Sequence, residues 1–163
     1  MKRSTAKRIR AGAQILFLMY MGALIYIMFL AERYGRHQGS DVIRYNLTPL
    51  REIRRFLSNK AILGSRSVFL NVAGNVLAFC PFGAILPVMF RRIRSLGQVT
   101  VLTAAFSVCI ETAQLLTRAG VFDVDDILLN TLGGIAGFAV FCVCDALRRH
   151  YYYGEQTKKQ HIP

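Results

Sequence analysis

Four long apolar runs decide what this chain can fold into: Ala13–Ala31, Val68–Phe90, Gln98–Thr117 and Ile127–Cys144. A bilayer core about 30 Å thick takes roughly 20 helical residues to cross. In hydrocarbon a spanning segment must satisfy its own backbone, which a helix does. Each run approaches that length, and the first is the cleanest, with Gln14 its one strongly polar side chain. The 163 residues suit a single integral membrane domain, 1–163. We expect an all-α fold, a polytopic membrane bundle of about four transmembrane helices, with an amphipathic, partly ordered first loop. The bases ahead of the first run (Lys2, Arg3, Lys7, Arg8, Arg10) also mark secretory signals. However, its apolar core is long for a signal and no small-x-small pattern follows, so the run reads as an uncleaved anchor.

The chain carries 21 Lys and Arg against 9 Asp and Glu, a net charge of +12. The bases flank the apolar runs instead of interleaving with aromatics in one patch. That pattern suits membrane lipids as partners and argues against nucleic acid. Cys80, Cys109, Cys142 and Cys144 all lie within apolar runs, without the spacing of a zinc set, and read as small hydrophobes.

The positive-inside bias puts both termini and the Arg91–Gly97 loop in the cytoplasm, and the link Arg118–Asp126 outside. Residues 32 to 67 disagree. They would be external, yet they hold eight bases (Arg33, Arg36, Arg44, Arg51, Arg54, Arg55, Lys60, Arg66) against three acids. Within them Tyr45–Leu50 reads as an extended or turn segment, because the residue before Pro49 avoids helical geometry. Arg51–Leu57 reads as a short amphipathic helix on the membrane surface. The second run is irregular. Pro81 removes a backbone donor and frees the carbonyl of Leu77, and Pro87 interrupts again.

Polar side chains inside spans are costly and usually face the bundle interior. Here they form stripes. Asn71 and Asn75 share one helical face, as do Ser107, Glu111 and Gln114, and as do Asp126 and Asn130. Gly133, Gly134 and Gly137 continue the last stripe and allow close helix approach. Pointing the three stripes at one another is the simplest packing. Glu111 is the costliest residue, at about 2.5 to 3.5 kcal/mol for a buried acid. Asp123, Asp125 and Asp126 crowd into four positions at the start of the fourth run. One aspartate suffices to cap a helix; three exceed that need. The expectation is one outward-facing pocket in which Asn71, Asn75, Glu111, Gln114, Asp123, Asp125, Asp126 and Asn130 bind a ligand. Capping, interhelical hydrogen bonding and a Glu111–Arg118 pair are the structural alternatives.

The blocks bearing these residues have a familiar form. Asn71 to Gly83 resembles the N-x-x-x-N-x-x-x-F-x-P-F-G signature of the VanZ-like family. Ile110 to Gln114 resembles its I-E-x-x-Q motif, and Phe122 to Gly133 its F-D-x-D-D-x-x-x-N-T-x-G block. Asn46-Leu47-Thr48-Pro49 resembles its N-L-x-P element. The blocks occur in the family's order across residues 46 to 137. The resemblance implies a small multi-pass protein of the bacterial cytoplasmic membrane, in a family whose founding member is associated with low-level teicoplanin resistance. Its molecular activity is not settled, so no catalytic residue carries over.

Three functions compete. An envelope protein would use the acidic pocket to bind a cell-wall precursor, a lipid headgroup or the glycopeptide itself. A membrane enzyme would hold Mg²⁺ or Ca²⁺ through Glu111, Asp123, Asp125 and Asp126 and act on a lipid-linked phosphate or peptide. A carrier would move protons or cations through Glu111. No Ser-His-Asp or Cys-His set supports a covalent nucleophile, since His37, His150 and His161 fall in loops or the tail.

Overall fold

The structure, a computed structural model, describes residues 3–34, 45–51, 54, 65–90 and 92–160; of these, the side chains of 3–10, 13, 30–34, 65–71 and 152–160 are not described. Four helices make up nearly all of it: α1 (Arg3–Tyr34), α2 (Ser65–Met89), α3 (Leu96–Leu116) and α4 (Val124–Gln160). Two short strands, β1 (Tyr45–Asn46) and β2 (Phe122–Asp123), pair in parallel, with Tyr45 opposite Phe122 and Asn46 opposite Asp123. Three helices among the described residues are long and apolar enough to cross a membrane, over Val72–Met89, Leu96–Leu116 and Val124–Tyr151. Within α1 the described side chains include an apolar stretch over Gln14–Phe29. Of the expected surface helix at 51–57, residues 52, 53 and 55–57 lie outside the described residues. Arg54 N–H donates to Leu50 O at 2.8 Å, one helical turn at its start.

Sequence dictates the helix ends. Ser95 caps α3 with a reciprocal pair of bonds to Gln98, each 3.3 Å, which satisfies two backbone donors at once. At the other end of α3, Arg118 takes φ 55 and its N–H bonds Leu115 O at 3.2 Å. Helix α2 runs through Pro81 and Pro87 without ending. Tyr20 of α1 donates its hydroxyl to Ala78 O at 2.6 Å, next to the carbonyl that Pro81 deprives of its usual donor.

Burial is inverted relative to a water-soluble domain. Leu16, Leu18, Met19, Leu77, Val101, Leu116 and Leu147 are exposed, as expected of side chains facing lipid and not of a soluble monomer. Among the described residues eight polar or charged ones are buried against seven hydrophobic ones, so the interior is organised by hydrogen bonds as much as by apolar packing. The apolar part joins α1, α2 and α3 through Leu24, Phe79 and Ile110. Beside it, Phe82 stacks on Phe106 with ring centroids 5.0 Å apart.

The most extensive contact is between α2 and α4, and glycine makes it possible. A Cβ on Gly83 would collide with the Gly134 backbone, one on Gly133 with the Val76 carbonyl, and one on Gly137 with the Cys80 carbonyl. A Cβ on Gly134 would strike the Thr103 side chain, so α3 closes on the same point. This is the close backbone approach that small residues permit in membranes. Gly137→Leu is therefore expected to destabilise the bundle by about 1–3 kcal/mol or more, read as a lower melting temperature in detergent. Gly74 has nothing within 4 Å of a built Cβ, so Gly74→Ala is expected to be neutral or to stabilise by up to about 1 kcal/mol.

Candidate functional site

The acidic residues gather where α4 begins. Asp123 precedes α4 and caps it, its Oδ1 accepting Asp125 N–H at 2.8 Å. Its own backbone N–H donates to Glu111 Oε2 at 3.0 Å. The last turns of α3 and the start of α4 are thus joined through a carboxylate. Asp125, 1% exposed, accepts Leu50 N–H at 2.5 Å, and Asp126 accepts Asn75 Nδ2 at 2.6 Å. Both lie in the first turn of α4, where negative charge is favoured by the helix dipole.

The segment after β1 straps this cluster. Asn46 Nδ2 donates to both oxygens of Asp123, at 3.0 and 3.2 Å. Asn46 Oδ1 in turn accepts Thr48 N–H at 3.3 Å, an Asx-type turn that swings the chain towards Asp125. Leu50 then adopts φ 62, and its N–H reaches that carboxylate. Non-glycine residues rarely take this geometry, and surrounding contacts must hold them there.

One layer deeper, Asn130 Nδ2 donates to Ser107 Oγ at 2.9 Å, and both residues are fully buried. Gln114 Nε2 bonds Met28 O of α1 at 3.2 Å. Among the described residues Asn130 Oδ1 and Gln114 Oε1 are buried without a hydrogen-bond partner. Gly120 packs against the Gln114 side chain, where a Cβ would collide.

The structure brings together most of the residues singled out from sequence. Asn75 meets Asp126, Ser107 meets Asn130, and Glu111 meets the backbone of Asp123, so the polar faces of α2, α3 and α4 do converge. Gln114 is buried with them but joins α3 to α1. Asn71 lies one turn before Asn75, and its side chain is outside the described ones. Arg118 is exposed and forms no ion pair with a described residue, so it does not pair with Glu111. Asp123 does cap a helix, but it also anchors the strap. Among the described residues no group of three His, Cys, Asp or Glu side chains is arranged to hold a metal ion. The four cysteines are free.

Sequence reasoning missed Asn46 and the Leu50 backbone as parts of the site, and Thr103 as part of its floor. Asn46 stood in the N-x-T pattern of a glycosylation sequon and in the N-L-x-P element. Its signal was the Asx-turn pattern ahead of a proline. Nothing in the local sequence pointed to the N–H of Leu50.

These features define a helical membrane protein in which α2, α3 and α4, each long and apolar enough to span a membrane, meet around a buried carboxylate–amide cluster at one end. Comparison with known proteins places it more closely. The profile of the VanZ/LLP1 family matches residues 17–145, and the chain belongs to that family. Protein VanZ of Enterococcus faecium is 26% identical over 99 residues, a stretch that covers 61% of this chain and 61% of that protein. The match therefore spans less than two thirds of the relative's length. No solved structure matches.

Two measurements check the hydrogen bonding. Ser107→Ala removes the described partner of Asn130 and is expected to cost about 1–3 kcal/mol, the penalty for a stranded buried amide. A double-mutant cycle on Asn46→Ala and Asp123→Ala is expected to show a coupling of about 0.5–3 kcal/mol in thermal stability.

Proposed function

We propose that this chain is a non-enzymatic protein of the bacterial cytoplasmic membrane that lowers sensitivity to a glycopeptide such as teicoplanin. Both termini lie in the cytoplasm on this reading, and the carboxylate–amide end faces outward. There it binds a cell-wall precursor, a lipid headgroup or the antibiotic itself. One observation carries the reading: Glu111, Asp123, Asp125 and Asp126 come together at one end of the bundle, beneath a strap tied to them by Asn46 and Leu50. So much acid is more than capping requires. The buried acceptors Asn130 Oδ1 and Gln114 Oε1 extend the same preference inward, since a ligand bearing ammonium, amide or hydroxyl groups supplies donors to them. Family membership and the distant likeness to Protein VanZ support the link to glycopeptides.

Expression in a susceptible strain is expected to raise the teicoplanin concentration needed to stop growth by about fourfold or more, on the order of 1 kcal/mol of altered binding. Asp125→Asn with Asp126→Asn is expected to abolish the increase while membrane levels of the protein stay constant. Unchanged sensitivity on expression of the wild-type chain would refute the proposal.

A further inference from the structure

Three basic regions follow the charge asymmetry of membrane proteins, and residues 32–67 do not. They hold eight bases against three acids. The structure fastens residues 45–50 of this segment to the acidic end of the bundle through the β1–β2 pair, Asn46–Asp123 and Leu50–Asp125, and Arg51 and Arg54 follow directly. Arg92 and Arg94 lie on the link between α2 and α3, and Arg148 and Arg149 lie well along α4, away from its acidic first turn. Positive charge at the acidic end therefore runs against the bias that orients spans, and it needs another cause.

Neutralisation of the carboxylates is the bland explanation. Arg51, Arg54 and Arg118 do not fit it. All three are exposed, and none of their side chains has a partner among the described residues. Exposed apolar residues neighbour them in the chain: Tyr45, Leu47 and Leu50 on the strap are 66%, 61% and 46% exposed, and Leu116, two residues before Arg118, is 77% exposed. Arginine beside exposed aromatic and aliphatic side chains is the composition of a membrane–water interface. Arg118 adds a backbone argument. It occupies, with φ 55, the position after a helix where glycine is the usual residue. The turn does not need a long cationic side chain, so a role for the guanidinium accounts for its presence.

We propose that Arg51, Arg54 and Arg118 form a rim that binds the phosphate of a membrane-embedded amphiphile, whose hydrocarbon chain lies against Tyr45, Leu47, Leu50 and Leu116. This deepens the reading given above, and rests on it for which face of the membrane is served. Guanidinium forks match phosphate geometry and hold it by charge-assisted bonds. A bulk anionic phospholipid and a polyprenyl phosphate present the same group, and the experiment separates them.

The full chain in phosphatidylcholine nanodiscs is titrated with phosphatidylglycerol and with a polyprenyl phosphate, and lipid retention is read by native mass spectrometry. Inorganic phosphate is titrated in parallel. At least one phosphate amphiphile is expected to be retained about tenfold over phosphatidylcholine, less so at high salt. Preference for the polyprenyl phosphate identifies an isoprenoid carrier, and equal retention identifies bulk phospholipid. Arg51→Gln with Arg54→Gln is expected to remove most of the preference. Arg118→Gly is expected to weaken retention without lowering the melting temperature, because glycine suits the left-handed geometry; a purely structural arginine would not separate the two readouts. Wild-type protein that does not distinguish these lipids from phosphatidylcholine overturns the proposal, as does a triple variant that retains them fully. Inorganic phosphate bound as tightly as either lipid overturns the membrane source. Wild-type protein that protects against the glycopeptide but shows no lipid preference defeats this proposal alone, and wild-type protein with the preference but without protection defeats only the resistance reading.

Discussion

The contact on which the rest depends is the one between Glu111 and the backbone of Asp123. A carboxylate buried in a spanning helix is expensive, and here it is held where the chain turns back on itself. Few residues separate α3 from β2, so Glu111 meets a backbone donor supplied by its own hairpin. That bond fixes Asp123, Asp123 caps α4 and receives Asn46, and the cap sets Asp125 and Asp126 in the first turn. Each described donor to the four carboxylates is a backbone N–H or an asparagine amide, held by helix geometry or by the strap.

Beneath this network the interior is layered. Asn75 and Asp126 form one level, Ser107 and Asn130 the next, and Thr103 against Gly134 and Gly83 the level below. Polarity falls with depth until backbones touch. The sequence of levels is what a bilayer demands, since a polar group far from the interface must find its partner within the protein.

Much of this was legible in the sequence. Residues four apart on a helix share a face, so Asn75, Ser107, Glu111, Asp126 and Asn130 announced three stripes that had to meet. Apolar run length announced the helices, although α4 runs well past Cys144 because its basic tail continues the same helix. The strap was not legible. Its pairing with β2 spans 77 positions and involves two residues per strand, too few for any alternation to show. The contribution of Leu50 is a backbone N–H, which no side chain advertises. Gln114 lay on the correct face but turned to α1, because a long side chain near the helix end reaches a second neighbour. Thr103 passed as part of an apolar run, and only the glycine opposite explains its burial.

The seam of Gly83, Gly133, Gly134 and Gly137 has a mechanical consequence. Two helices in backbone contact have no side chains between them to act as bearings, and neither can slide or rotate without steric overlap. They behave as a single rigid beam, and α3 is clamped to that beam through Thr103. The seam leaves any adjustment to the parts outside it, α1 and the strap that carries Asn46 and Leu50. A visiting molecule would be admitted by deforming those parts and not by parting the central trio.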